Sequence, residues 1–182
     1  MTRADTDTDA RAALLQARIR DIPDFPKPGI LFRDLTPLMG HGPSLRSCVD
    51  LLIEKVAPHR ADVIVAIESR GFIFGAPVAA ALGIGFAPVR KPGKLPFETR
   101  RRTYDLEYGT DSLEMHADAV GAGTRVVIVD DLLATGGTAG ATVELVREQG
   151  AIVAGVVVVV ELALLEGRKR LGHVPVDSLI RY

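Results

Sequence analysis

The residues with most chemistry in them sit in one stretch, Val126–Thr138, which reads VVIVDDLLATGGT. Asp130 and Asp131 stand side by side at the end of an apolar run. A carboxylate pair cannot itself bind phosphate, but it accepts hydrogen bonds from a vicinal diol such as the 2′- and 3′-hydroxyls of ribose. Ala134, Thr135, Gly136, Gly137 and Thr138 follow as a small-residue turn that leads into a helical pattern. Such a turn lets backbone N–H groups approach an anion, with the positive end of a helix dipole behind them, and so would cradle a phosphate. No Lys follows the second glycine and the GxGxxG pattern is missing, so this is neither a Walker loop nor a dinucleotide fingerprint. Diol and phosphate acceptors a few residues apart describe a site for a ribose 5-phosphate. The plainer alternative is a turn that Asp131 caps and two glycines close.

Two further stretches carry cations. Glu68, Ser69, Arg70 and Gly71 follow the β-branched run Val63–Ile67. An Arg there can fork two oxygens of a pyrophosphate, and Gly71 permits the turn; alone, it would be a surface Arg after a strand. Arg90, Lys91, Lys94, Arg100, Arg101 and Arg102 place six cations within thirteen residues, interrupted by Pro92, Gly93 and Pro96. A charge run is commonly a solvated face. In a chain of balanced charge, this one reads as a flexible basic loop, about 91–106, that can close on a polyanion. His41, His59, His116 and His173 lie far apart without metal-ligand spacing, so no metal site is expected from protein side chains. Cys48 falls in the apolar half of a helix and reads as packing.

The elements that must position these residues alternate between two periods. Leu45, Val49, Leu52, Ile53 and Val56 mark one face of a helix that Pro58 would stop. Val63–Ile67, Gly85–Val89, Val126–Val129 and Val153–Val160 are continuous apolar runs. Gly75–Leu82 reads as a small-residue helix, and Thr138–Gln149 as a helix closed by Gly150. Continuous rather than alternating strands are buried on both faces, so the pattern is α/β with a parallel sheet covered by helices. Ligands of such sheets bind at the carboxyl ends of the strands, where the loops above fall.

The chain has 182 residues, with 22 Lys+Arg against 23 Asp+Glu and a single Cys. That length suits one domain with a large core and no disulfide framework, consistent with a reducing cytosol. A net charge of −1 makes nucleic acid and anionic membrane poor expected partners. The first ten residues carry no apolar run and read as a frayed end rather than a signal peptide, leaving 11–182 as one domain. The longest continuous apolar stretch, Ala154–Val160, is far short of the ~20 residues of a membrane helix.

VVIVDDLLATGGT resembles the phosphoribosyl pyrophosphate (PRPP) signature of the type I phosphoribosyltransferases. From about Ile19 to Tyr182 the chain is most similar to the adenine-using branch of that family. The segments that carry the likeness are DFPKPGILFRDLTPL (24–38), ESRGFIFGAPVA (68–79), VRKPGKLPFET (89–99) and YDLEYG (104–109). The resemblance implies a three-layer fold with a mostly parallel central sheet, a small N-terminal hood at about 20–40 and a flexible basic loop. It implies a transferase that uses adenine and PRPP to give AMP and pyrophosphate, acts as a homodimer and works with Mg²⁺ carried by PRPP. An enzyme for another purine and a non-catalytic PRPP sensor are the alternatives.

Residue roles follow on the matching positions. The Arg70 loop becomes the pyrophosphate loop, with a cis peptide at Glu68–Ser69. Lys91 and Lys94 become pyrophosphate contacts, and Arg90 reaches a neighbouring subunit's site. Arg100, Arg101 and Arg102 match no pattern. Transfer at C1′ builds positive character on the sugar while the purine loses an imidazole proton, and the carboxylate of Glu107 can serve both needs. The Tyr108 hydroxyl can bond pyrophosphate or ribose. Leu31, Phe32, Arg33 and Leu162 are the expected walls of an adenine slot, the base being read by backbone groups near Arg33.

Overall fold

The computed structural model describes residues 3–105 and 110–182. The chain divides into two compact units, Met1–Leu51 and Leu52–Tyr182, where the sequence suggests a single domain. The boundary lies inside a helix, with no Gly-, Pro- or Ser-rich linker to announce it.

The first unit opens on helix α1, Arg3–Gln16, where the sequence suggests fraying over 1–10. Thr and acidic residues there give no apolar stripe, so periodicity had nothing to register; Leu15, near its end, is buried. Strands β1 (Arg20–Pro23) and β2 (Leu31–Asp34) pair antiparallel. The PKPG segment is their connection: Gly29 takes a left-handed φ of +85° and donates its N–H to Asp24 Oδ1 at 2.8 Å. Asp34 ends β2 and holds the short helix α2 (Thr36–Met39), accepting from Thr36 N at 2.9 Å and Thr36 Oγ1 at 2.8 Å. Helix α3, Gly42–Val56, then runs across the unit boundary, and Pro58 falls in the 3-10 turn that follows it. Cys48 is buried within α3, and burial pushes its thiol pKa up to about 12.

The second unit is built on a parallel sheet. Strands β3 (Val63–Ile67), β4 (Gly85–Val89), β7 (Arg125–Leu133), β8 (Ile152–Glu161) and β9 (Val176–Arg181) lie in the order β4-β3-β7-β8-β9. Between them come helices α4 (Arg70–Leu82) and α5 (Gly137–Glu148) and an antiparallel hairpin of β5 (Thr99–Asp105) and β6 (Thr110–His116). Alternate side chains of the central strands face different helices. Val65, Ile67, Val126, Ile128, Val156 and Val158 join one core with Ala141, Leu145 and Val146 of α5. Ile64 and Ala66 face α4, whose Gly75 comes so close that a Cβ there would lie 2.6 Å from Ala66 Cβ. Helix, sheet and helix form the three layers that continuous apolar strands require.

Several boundaries move. Strand β7 does not stop at Val129 but continues through both carboxylates to Leu133, because its ladder with β8 continues with Asp130 opposite Val158 and Leu132 opposite Val160. Helix α4 starts at Arg70 rather than Gly75, so Arg70 and Gly71 occupy its first turn. Within the segment expected as flexible loop, 91–106, Thr99–Asp105 is strand. Strand β9 carries too few apolar residues to stand out locally. No described helix is long and apolar enough to cross a membrane.

Candidate active site

The neighbouring strands β3 and β7 run parallel in register, Val63 beside Val126, so their carboxyl ends open onto one cleft. It has a volume of about 330 Å³ and is lined by residues 67–70 and 130–139. The structure therefore brings Arg70, Asp130, Asp131 and Ala134–Thr138 together, as the sequence grouping of a diol, a phosphate and a pyrophosphate acceptor requires.

The cleft's floor is shaped by glycines. Gly71, in the first turn of α4, lets that turn rest on β7: a Cβ there would lie 2.8 Å from Asp130 Oδ1 and 3.1 Å from the Val129 carbonyl. Gly136 takes φ +79°, a left-handed conformation that L side chains rarely adopt, and caps α5. A Cβ on Gly136 would stand 2.4 Å from the carbonyl oxygen of Gly167. The loop thus turns into α5 with backbone packed behind it, leaving the first N–H groups of the helix, which lack intrahelical partners, at the cleft. The Glu68–Ser69 bond on the opposite rim is cis.

Asp131 is buried and ion-paired with Arg70, Nε to Oδ2 at 2.8 Å. Its backbone N–H donates to Asp130 Oδ1 at 2.9 Å. Loss of water raises the Asp130 pKa well above the usual carboxylate range, and the adjacent Asp131 charge adds to this. Asp131 is raised too, chiefly by loss of water, with the Arg70 guanidinium opposing. Both groups hold their protons more tightly folded than unfolded. As pH rises from the ordinary carboxylate range toward their folded values, the unfolded chain releases protons first and stability falls. The pair therefore costs stability at neutral pH. Asp130→Asn, which keeps an acceptor for Asp131 N–H, should raise the melting temperature at pH 7 by about 2–4 °C, the worth of ~1 kcal/mol in a chain of this size. The gain should shrink toward pH 4, and a lower melting temperature at pH 7 would contradict it.

A second cluster links the basic segment to this cleft. Lys91 pairs with Asp111, and the Tyr104 hydroxyl bonds both Asp111 Oδ2 (3.3 Å) and Thr138 Oγ1 (3.2 Å). Burial alone would raise the Asp111 pKa, but the Lys91 hydrogen bond and charge, with hydrogen bonds from Ser112 N–H and the Tyr104 hydroxyl, together hold it below its ordinary value. Arg90, expected to reach a neighbouring subunit, is engaged in its own chain: Nε donates to Glu68 Oε2 at 2.7 Å and Nη1 to the Lys94 carbonyl at 3.2 Å. Arg101 and Arg102, which match no pattern in the sequence, fasten the hairpin. Arg101 meets the buried Glu114 at 2.7 Å, and Arg102 meets Glu144 and Glu148 of α5 at 2.5 and 3.0 Å. Glu114 also accepts from Gly93 N at 3.0 Å, tying the Lys91–Lys94 turn to β6. Tyr104, Asp111 and Glu68 escape sequence reasoning because each acquires meaning only through a partner distant in sequence.

Glu107 and Tyr108 lie outside the described residues. Leu31, Phe32 and Arg33 lie on β2 of the first unit, where Phe32 stacks edge-on against Phe25 at 5.1 Å and Arg33 pairs with Asp21. Leu162, in the second unit, directly follows β8 and donates its N–H to the Leu133 carbonyl at 2.9 Å. Among the described residues, no group of three His, Cys, Asp or Glu could hold a metal ion.

The parallel sheet whose central strand delivers two acids and a glycine turn to one cleft falls within residues 43–178, which match the phosphoribosyl transferase domain. An adenine phosphoribosyltransferase of Desulfitobacterium hafniense is 58% identical over 164 residues, covering 90% of this chain and 95% of its own. The crystal structure of the adenine phosphoribosyltransferase of Thermoanaerobacter pseudethanolicus superposes with a TM-score of 0.92 at 51% identity, over 94% of this chain and 99% of that one. The Saccharomyces cerevisiae enzyme, solved with adenine and an imino-altritol bisphosphate, gives 0.88 at 42% identity, over 93% and 98%. The chain belongs to the adenine phosphoribosyltransferase family.

Proposed function

We propose that the protein transfers the 5-phosphoribosyl group of PRPP to adenine, giving AMP and pyrophosphate. The observation that carries this reading is the single cleft in which β7 presents Asp130, Asp131 and the Ala134–Thr138 turn beside Arg70. Backbone N–H groups of the turn hold the 5-phosphate, and the two carboxylates accept from the ribose hydroxyls. Substrate then supplies donors to a carboxylate pair that is costly to keep charged without them. Arg70 forks the pyrophosphate. Lys91 and Lys94 close on it, Lys91 exchanging Asp111 for the polyanion, and Tyr108 adds a hydroxyl donor. Leu31, Phe32, Arg33 and Leu162 are the residues assigned to contact adenine.

In the transfer, the bond from C1′ to the pyrophosphate oxygen breaks and the bond from C1′ to purine N9 forms. Glu107 takes the imidazole proton and stabilises the positive sugar carbon. Mg²⁺, carried by PRPP rather than by protein side chains, would offset the charge developing on the pyrophosphate leaving group. The protein works in the cytoplasm as a homodimer. The test measures pyrophosphate release with adenine, hypoxanthine, guanine and xanthine in parallel. Release with adenine far above the other three is expected; turnover of hypoxanthine or guanine with none of adenine would overturn the assignment.

A further inference from the structure

Behind the phosphate-binding turn lies a buried charge cluster that the reaction does not use. Glu161, the last residue of β8, is only 3% exposed although it is charged. Arg168 grips both its oxygens, Nε on Oε1 and Nη2 on Oε2, each at 2.6 Å. The third donor of that guanidinium, Nη1, reaches the Val176 carbonyl at 2.7 Å, and Ser178 Oγ donates to Glu161 Oε2 at 2.9 Å. Val176 and Ser178 are both on β9, so the clamp spans the last two strands of the sheet. With three hydrogen bonds on its two oxygens, the Glu161 carboxyl is held below its ordinary pKa, Arg168 being the main cause.

Arg168 is the neighbour of Gly167, and Gly167 is the residue against which the turn is built. A Cβ on Gly167 would stand 2.2 Å from the Ala134 carbonyl oxygen and 3.0 Å from Gly136 N. The contact with Gly136 is reciprocal, backbone against backbone. Burial does not fix this end of the segment from the β8 side, since Leu164 is 93% exposed and Leu165 47%. Beyond Gly167, Leu171 is anchored in the core. Between the Ala163 N–H bond to the Tyr182 carbonyl, at 2.8 Å, and that anchor, the guanidinium fork ties the residue next to Gly167 to the sheet.

We propose that the Glu161–Arg168 clamp positions the phosphate-binding turn: it fixes Gly167 on the sheet, and the Gly167 backbone is the floor on which Ala134–Gly137 rest. The inference depends on the reading of that turn as the cradle of the 5-phosphate. Arg suits the task because a planar fork on a carboxylate fixes orientation as well as distance, which the single point charge of Lys does not. Arg168 and Glu161 are positioning residues, since neither touches substrate. Displacement of about 1 Å at a binding turn suffices for losses near 10²-fold.

The test compares Arg168→Lys, Ser178→Ala and Lys169→Ala with the wild-type protein, each at a folded fraction matched by circular dichroism. Lys169 is an exposed neighbour paired with Glu166. Calorimetry measures ribose 5-phosphate binding, and steady-state kinetics give separate KM values for PRPP and adenine. Arg168→Lys should weaken ribose 5-phosphate and raise KM for PRPP about 10-fold or more, with KM for adenine within about 3-fold. Ser178→Ala should shift the same quantities in the same direction by less, and Lys169→Ala should leave them unchanged. A folded Arg168→Lys that binds ribose 5-phosphate like wild type makes the clamp a stabilising pair only and ends the proposal. Should Arg168→Lys fail to fold, Ser178→Ala decides by the same criterion. Wild-type protein that binds no ribose 5-phosphate removes the cradle reading itself, and the proposal with it.

Discussion

Gly136→Ala should lower kcat/KM for PRPP by about 10²-fold or more. Two separate costs meet at this position. The left-handed backbone at φ +79° strains any residue with a Cβ, at roughly 1–2 kcal/mol. The added methyl would also sit 2.4 Å from the Gly167 carbonyl oxygen, a distance that only a shift of the turn can relieve. Because the Gly136 neighbourhood is the proposed 5-phosphate cradle, the shift is paid for in substrate positioning rather than stability alone. Gly83 separates the two costs. It has nearly the same backbone, φ +67° and ψ 29°, but a Cβ there meets nothing within 4 Å. Gly83→Ala should therefore lower the melting temperature and leave kcat/KM as it is. If Gly136→Ala showed only what Gly83→Ala shows, the turn would have no role in binding PRPP.

What the sequence disclosed follows from how local each signal is. VVIVDDLLATGGT is legible because strand, acids and turn are contiguous, so the chemistry can be read without knowing the fold. The end of β7 was not, since Asp130 and Asp131 break the apolar run while the β8 ladder carries the strand on to Leu133. Pairing between strands overrides local composition here. The β5–β6 hairpin hides for a related reason. Its arginines look like a solvated run until Arg101 meets Glu114 across the hairpin and Arg102 meets Glu144 and Glu148 on α5. Lys91 is similar: its charge pointed to a polyanion, and in the unliganded chain Asp111 supplies the anion. The unit boundary inside α3 leaves no compositional mark because a helix can belong to two compact units without changing its own periodicity.

Glu107→Gln should cut turnover by about 10²–10⁴, the range for a positioned acid or base, while KM values change little. Gln has the size of Glu and retains a hydrogen-bond acceptor, but it cannot take the proton that adenine must lose when N9 attacks, and it carries no charge to offset the positive sugar carbon. Substrate would still bind through Arg70, the carboxylate pair and the turn, so the loss belongs to the transition state. Single-turnover kinetics should show the defect in the chemical step, not in pyrophosphate release. Wild-type turnover in Glu107→Gln would assign the proton to another group.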